Sequence, residues 1–290
     1  MKGRTVLLFL SPFLLSFAAF SLFPIVASVA LSFFDWSPLT PERAAFVGLE
    51  HYARALREPR FWGALRNTLV FVAGTIPLTT TLALGLALLV RRPLPPALRT
   101  LFRAGFFVPS VVSMVVISLI WKNLYAPFGG LNAILGLAGL PAQRWLLDPN
   151  LALASIMAMD VWASVGYYMI LYLAGLETIP DELYEAASLD GAGFWGRVRH
   201  VTWPGLKPMT LFILVINTMR SFQIFVEVFV MTGGGPLRST ETVVLYLYDA
   251  AFHHFEMGYA SAVAYLLFAI LAVFSLLELR WLRSEQRMLQ

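Results

Sequence analysis

The stretch LALASIMAMDVWASVGYYMILYLAGL, residues 151–176, carries one charged side chain, that of Asp160, and no proline. A helix that crosses a membrane needs about 20 predominantly apolar residues, so this stretch is long enough to span a bilayer. The whole chain has the same character, since 59% of its 290 residues are hydrophobic, 13% are charged and the mean hydropathy is +0.73. Soluble domains carry roughly 25% charged residues. The composition therefore predicts an integral membrane protein and excludes a soluble enzyme, a nucleic-acid-binding module and a disordered chain.

Five more apolar runs have the length of a membrane span. They lie at residues 6–34, 67–90, 106–125, 208–231 and 258–280. All backbone groups in lipid must be hydrogen-bonded within the protein, and no run alternates like a barrel strand, so the spans are predicted to be helices. The first run is too long for the apolar core of a secretory signal. We predict an all-α integral membrane protein with six transmembrane helices in a single transmembrane domain, residues 1–290.

An even number of spans places both termini on one side of the membrane. With the termini inside, twelve basic residues, among them Lys2, Arg91 and Arg92, face the cytoplasm and eight face outward. Five of those eight lie in the loop of residues 35–66, where Phe61, Trp62 and Leu65 suggest an amphipathic helix along the membrane surface. The positive-inside rule then favours cytoplasmic termini.

A polar loop, residues 177–207, separates the fourth and fifth spans. Thr178 and Asp181 have the spacing of a capping box, and the following helix should stop at Gly191 and Gly193. A second short helix is predicted over residues 194–200, ended by Pro204. This helical hairpin is either a solvated connector or a docking surface for a soluble partner with cationic groups.

The core of this loop carries a specific spacing. Glu185-Ala186-Ala187, Gly191 and Val201-x-Trp203-Pro204 follow one another at intervals that resemble the EAA loop of binding-protein-dependent ABC importer permeases. Val201 and Trp203 stand where that family usually has isoleucine and leucine, which keeps the apolar character. In the family this loop forms the coupling helix, which seats in a groove of the ATPase. The resemblance implies these ATPase-coupling residues: Glu185, Ala186, Ala187, Leu189, Asp190, Gly191 and Pro204.

The resemblance extends along most of the chain. Residues 46–52 (FVGLEHY), 232–236 (TGGGP), 239–242 (STET) and 258–262 (GYASA) are similar to carbohydrate-type permeases of the glycerol-3-phosphate, trehalose and arabinose kind. It implies a sugar or sugar-phosphate substrate and a bacterial or archaeal plasma (inner) membrane. The implied partners are a second homologous permease, giving a heterodimer, two ATPase subunits, an extracytoplasmic solute-binding protein and the lipid bilayer, with no nucleic acid.

No cofactor is expected to bind this chain directly. A P-loop needs Lys followed by Ser or Thr, but the three lysines precede Gly, Asn and Pro. By the resemblance, ATP and Mg are used by the partner ATPase.

Ionisable and polar residues inside spans are costly, so each is a functional hypothesis. Asp160 and Arg220 are both predicted to lie near the middle of the bilayer and could form an ion pair. Such a pair would either hold two helices together or take part in the substrate pathway. Arg220, Gln223 and Glu227 follow at i, i+3 and i+7, which predicts one polar helix face lining the pathway. The complete set of predicted substrate-pathway residues is Asp160, Asn217, Arg220, Ser221, Gln223 and Glu227.

Two other classes remain as alternatives. An intramembrane enzyme would need a catalytic or metal site, and we expect neither, because His253 and His254 are adjacent rather than one helical turn apart. A stand-alone secondary transporter for a small polar solute would often show internal repeats, and no two halves align. Such a transporter would also leave the acidic loop of residues 177–207 unexplained.

Overall fold

A computed structural model describes residues 3–91 and 95–287 of the chain. The helices of the first part are α1 (Gly3–Phe17), α2 (Phe23–Leu31), α3 (Glu50–Arg57), α4 (Pro59–Arg91), α5 (Pro96–Val111), α6 (Met114–Leu124) and α7 (Gly130–Leu137). Those of the second part are α8 (Ala152–Glu177), α9 (Asp181–Leu189), α10 (Phe194–Arg197), α11 (Trp203–Phe222), α12 (Val226–Met231), α13 (Val243–Tyr248) and α14 (Met257–Arg287). Strands β1 (Phe34–Asp35) and β2 (Ala45–Phe46) pair antiparallel. Lys2 and Arg92, used above for the orientation, lie outside the described residues.

Within residues 3–91 and 95–287, five helical segments are long and apolar enough to cross a membrane. They are Phe9–Leu31, Pro59–Arg91, Ala152–Glu177, Phe194–Met231 and Met257–Arg280. The pair α5 and α6 adds a sixth if it counts as one span, although its two helices are bent by 100°. The prediction of an all-α membrane protein is confirmed.

The predicted third span, residues 106–125, is not one continuous helix. Val112 and Ser113 adopt extended backbone angles, with ψ values of 144° and 130°, and so separate α5 from α6. Pro109 precedes the break and lacks the N–H that would bond one turn back, which weakens the last turn of α5. The bend therefore arises where the helical hydrogen-bond ladder is already incomplete.

The second span begins earlier than residue 67. The helix α4 starts at Pro59 and already includes Phe61, Trp62 and Leu65. Proline suits the first turn of a helix, because the N–H groups there have no intrahelical partner. The predicted surface helix within residues 35–66 is therefore wrong in extent, since that loop contains a short 3-10 helix, Pro41–Arg43, and the separate α-helix α3 before α4 begins.

The hairpin between α8 and α11 matches its prediction in the turn and differs in both helices. Gly191 has φ +76°, its N–H donates to Ser188, and that of Ala192 donates to Ala187, which is the hydrogen-bond pattern of a Schellman cap. Thr178 does not cap α9, because its hydroxyl donates back to the carbonyl of Gly175 at 2.8 Å.

Pro204 does not end the second helix of the hairpin. A π-helical turn, Val198–Thr202, connects α10 directly to α11. Pro204 comes just after this turn, in the first turn of α11. A proline is tolerated there, whereas it would disrupt the interior of an α-helix. The hairpin therefore continues without interruption into the fifth span.

The chain divides into two compact units. One comprises the described residues up to Trp62 together with Val243–Ile270, and the other comprises Gly63–Thr242 and the described residues from Leu271 onward. In the first unit, the Tyr265 hydroxyl of α14 donates to the carbonyl of Ile25, and Arg60 pairs with Asp249 at 2.6 Å. These contacts tie the N-terminal helices to the segment after α13.

The second unit is built around α8. Tyr168, Tyr172 and Leu176 of α8 are almost completely buried, and Leu206 and Ile213 of α11 belong to the same core cluster. Van der Waals packing drives helix association in lipid, because the lipid is as apolar as the side chains. The helix α8 is accordingly the internal support on which the sites described below are placed.

Candidate functional site

The hairpin presents its helix α9 as an exposed surface. None of the residues of α9 is buried, and Leu189 at its end has 90% of its surface exposed. Trp195, across the turn, is 78% exposed. Large exposed apolar groups within a polar segment are typical of an interaction site. Of the predicted coupling residues, Glu185, Ala186, Leu189, Asp190 and Gly191 are exposed, while Ala187 and Pro204 are partly buried.

A second candidate site is a largely apolar cavity of about 490 Å3 beside the end of α11, with three charged or polar side chains in its wall. Its walls contain Arg220, Gln223 and Glu227, three of the predicted pathway residues. The remaining lining residues are Met114, Ile216, Met219, Ile224, Phe225 and Val226. The cavity thus combines donors and acceptors with one aromatic ring, which is a surface that a sugar can use.

The three polar residues do not share one helix face. The helix α11 ends at Phe222, Gln223 is its C-cap, and Phe225 has φ −142° before α12 begins. The prediction of a single continuous stripe over Arg220, Gln223 and Glu227 is wrong in this respect. The break turns the chain so that side chains from two helices and their link reach the same cavity.

Asp160 lies behind Arg220 and forms an ion pair with it. The nearest nitrogen and oxygen atoms are 3.7 Å apart, and the side chain of Asp160 is 9% exposed against 41% for Arg220. The predicted pairing of the two residues is therefore present in the structure. A carboxylate so poorly exposed is stabilised by a neighbouring positive charge, so Asp160 holds the guanidinium at the cavity wall.

Asn217 and Ser221 point toward a different neighbour. Both are 3% exposed, and the Ser221 hydroxyl lies 3.4 Å from the Asn217 side-chain oxygen and 3.4 Å from the hydroxyl of Thr75 in α4. They connect α11 to α4 and are absent from the described cavity lining. Their assignment to the substrate pathway stays a prediction.

Met114 is a cavity residue that the sequence did not single out. It is the first residue of α6 and reaches the cavity because the chain bends just before it. Pro109, one turn upstream, was the available signal for a break, but hydropathy alone joined the two helices into one span. Among the described residues, no group of three His, Cys, Asp or Glu side chains is arranged to hold a metal ion.

The described residues thus form a bundle of apolar helices with an exposed helical hairpin and a cavity that carries Arg220, Gln223 and Glu227. The chain belongs to the family described as "Binding-protein-dependent transport system inner membrane component", whose profile matches residues 78–282. Multi-pass location in an inner membrane follows from this membership. A stand-alone secondary transporter is set aside, because the family works with a binding protein.

Individual relatives agree with this assignment. The chain is 38% identical to the "Probable ABC transporter permease protein YurN" of Bacillus subtilis, over 96% of this chain and 95% of that protein. It is 37% identical to the "Lactose transport system permease protein LacF" of Rhizobium radiobacter, over 93% and 91% of the two chains. A crystal structure of a bacterial ABC transporter that imports the acidic polysaccharide alginate matches with a TM-score of 0.86 at 20% identity, covering 98% of this chain and 96% of that one. That likeness establishes the fold.

Proposed function

We propose that this chain forms half of the translocation pathway of an ATP-driven importer for a sugar or sugar-phosphate. It pairs with a second, related permease, and each of the two permeases engages one ATPase subunit through its hairpin. An extracytoplasmic binding protein delivers the solute. The observation that carries this proposal is the exposed hairpin, whose helix α9 has no buried residue and ends in the exposed Leu189.

ATP and Mg belong to the ATPase subunits in this proposal. Closure of the ATPases moves the hairpin, and with it the bundle, from an inward-facing to an outward-facing arrangement. The hairpin then lies on the cytoplasmic side together with both termini. The charge distribution supports this orientation, since twelve basic residues would face inward and eight outward.

The substrate class is inferred from the relatives and from the cavity. One relative is named for lactose and another, from Bacillus subtilis, for arabinooligosaccharides; the chain is 37% and 33% identical to them. Arg220, Gln223 and Glu227 offer the donors and acceptors that sugar hydroxyls require, and Phe225 offers a ring face. Asp160 acts in the pathway by orienting Arg220, while Asn217 and Ser221 adjust the contact between α11 and α4 that borders it.

The coupling role is tested with glycines in matched conformations. Gly191 and Gly139 have φ values of +76° and +70°, and an added β-carbon would have nothing within 4 Å at either position among the described residues. Alanine at each position therefore costs a similar strain, roughly 1–2 kcal/mol. In proteoliposomes that contain the whole importer, Gly191→Ala should raise the ATP consumed per solute imported, and Gly139→Ala should not. Equal ratios in the two variants would refute the coupling role.

The pathway role is tested in the same proteoliposomes with the sugar that the co-purified binding protein accepts. Gln223→Ala should reduce uptake, because the variant loses a donor and an acceptor in the cavity wall. Gln143→Ala, in the loop after α7, serves as the matched amide control and should keep wild-type uptake. Wild-type uptake by Gln223→Ala would remove this residue from the pathway.

A further inference from the structure

Tyr184 is the residue of α9 that is turned toward the membrane bundle. It directly precedes Glu185 and is partly buried against the core cluster of the second unit, whereas its neighbour Leu183 is 52% exposed. The helix α9 therefore has one face for an external partner and one aromatic contact that faces the protein.

The end of α4 holds this tyrosine through Arg91. The guanidinium carbon of Arg91 lies 4.5 Å from the centre of the Tyr184 ring, and its Nη1 donates to the tyrosine hydroxyl at 2.8 Å. The other terminal nitrogen of Arg91 lies 3.4 Å from a carboxylate oxygen of Asp181, in the first turn of α9. One arginine thus contacts two residues of the hairpin helix.

The same tyrosine hydroxyl also reaches the start of the fifth span. It lies 3.1 Å from the hydroxyl of Thr202, which is 3% exposed and belongs to the π-helical turn before α11. Thr202 in turn donates to the carbonyl of Arg197 at 3.4 Å. Arg91 donates to the Tyr184 hydroxyl, Tyr184 donates to the Thr202 hydroxyl, and Thr202 donates to the backbone carbonyl. Each of the two hydroxyls therefore accepts one hydrogen bond and donates one.

Open space borders this linkage. Two cavities, of about 260 and 300 Å3, adjoin the contact, and both have Arg91 and Asp181 in their walls as far as the described residues extend. The contacts of Arg91 with Tyr184 and Asp181 therefore connect α4 to α9 beside these cavities, in addition to the apolar packing of the Tyr184 ring. A π-helical turn at the other end of the linkage is a local irregularity of the kind that often accompanies function.

We infer that the chain of contacts Arg91–Tyr184–Thr202 is the linkage that carries movement of the hairpin into α4 and α11. The inference rests on the coupling role proposed above and adds three positioning residues to it. When α9 is displaced, the tyrosine pulls on the end of the second span and on the beginning of the fifth. Because the fifth span also carries the cavity, the linkage connects the exposed hairpin surface to this second candidate site.

The experiment measures ATP hydrolysed per solute imported, in proteoliposomes that contain the whole importer. Tyr184→Phe keeps the ring over which Arg91 lies and removes only the hydroxyl. We expect this ratio to rise about tenfold, the factor that corresponds to one hydrogen bond to a charged donor. Tyr52→Phe is the matched control, because it removes a hydroxyl that lies 2.7 Å from that of Ser32, outside the linkage. Its ratio should equal that of the wild type.

The two ends of the linkage are tested together. Arg91→Gln should uncouple transport at least as strongly as Tyr184→Phe, while Arg91→Lys, which retains the charge, should partly restore the ratio. The double variant Arg91→Gln with Tyr184→Phe should be no worse than the more severe single variant, since both changes interrupt one chain. Additive effects of the two changes would contradict a shared linkage.

A lower yield of assembled complex with an unchanged ratio in Tyr184→Phe would overturn the inference, because the contact would then serve folding alone. Glu185→Ala, measured in parallel, separates the two levels of the argument. If Glu185→Ala uncouples transport and Tyr184→Phe does not, the linkage is wrong and the coupling hairpin stands. If neither Glu185→Ala nor Gly191→Ala has an effect, the proposed role of the hairpin fails first.

Discussion

Replacing Gly166 by alanine should destabilise the second unit more than a similar change at any of the other helical glycines considered below. Gly166 lies in the middle of α8, where the backbone of α5 passes directly against it. A β-carbon there would overlap the carbonyl group of Phe106 and would lie 3.0 Å from the nitrogen of Phe107. These are backbone atoms, so no side-chain rotation relieves the clash.

The expected cost follows from the separation that the two helices would need. A carbon–oxygen contact is comfortable at about 3.3 Å, so α5 and α8 must move apart by roughly 1 Å or more. A gap of that size forfeits a quarter to a half of each dispersion contact across the interface. Overpacking of this kind costs about 1–3 kcal/mol, and we expect about 3 kcal/mol because the obstruction is rigid.

Two other glycines complete a graded series. At Gly175 a β-carbon would lie 3.0 Å from the Leu206 Cδ2, which is able to shift, and from the Met209 Cβ and Cγ, which need a movement of only a few tenths of an ångström, so about 1 kcal/mol is expected. At Gly85 nothing in the described structure lies within 4 Å, and alanine should cause no loss. Thermal unfolding of the detergent-solubilised complex provides the measurement. The midpoint should fall by roughly 6–12 °C for Gly166→Ala.

The reasoning has a clear point of failure. If Gly166→Ala melts at the temperature of Gly85→Ala, the helices α5 and α8 do not approach as closely as the structure indicates. A loss at Gly175 that exceeds the loss at Gly166 would likewise contradict the distinction between rigid and movable obstructions.

Three further predictions concern buried polar contacts. Arg220→Gln leaves the Asp160 side chain, which is 9% exposed, without its counter-charge and should lower the free energy of unfolding by about 2–3 kcal/mol. This is less than the cost of breaking a fully buried pair, because Arg220 is 41% exposed. Adding Asp160→Asn to this variant should restore part of the lost stability. Burial alone would raise the pKa of Asp249, but hydrogen bonds from His253 and Arg60 outweigh it and hold the pKa below its usual value. The stabilisation is therefore complete above about pH 4 and is lost as the pH falls through the folded-state pKa, so hydrogen exchange of residues 243–256 should increase at acid pH in the wild type and be insensitive to acid in Asp249→Asn. Asn132→Ala removes the hydrogen bonds that tie residues 126–145 together and should cost about 3 kcal/mol of thermal stability, whereas an unchanged midpoint would show that the loop is held by other contacts.

Much of the architecture was predictable from local sequence properties. Apolar runs located the spans because lipid demands about 20 apolar residues in a helix, whatever the neighbours are. The turn of the hairpin was predictable because Gly191 suits a left-handed backbone conformation that side chains disfavour. The spacing from Glu185 to Pro204 made the resemblance to the EAA loop visible.

The breaks in the helices could not be read from hydropathy. Val112 and Ser113 are compatible with a continuous helix, and although Pro109 weakens the turn before them, it does not by itself dictate that the chain turns by 100° there. Gln223 likewise continues a helical pattern in sequence but forms the cap of α11 in the structure. A helical period predicts which residues share a face only while the helix is unbroken.

The sequence by itself determined that this is a helical membrane protein with a polar hairpin between its fourth and fifth spans, because hydropathy and glycine act within a few residues of chain. The tertiary structure decided that Arg220, Gln223 and Glu227 meet at one cavity while Asn217 and Ser221 face α4. It also decided that Arg91 holds Tyr184, 93 positions further along the chain. Such pairings depend on which helices pack together, and in lipid that choice follows from the shapes of whole helix surfaces rather than from any local pattern.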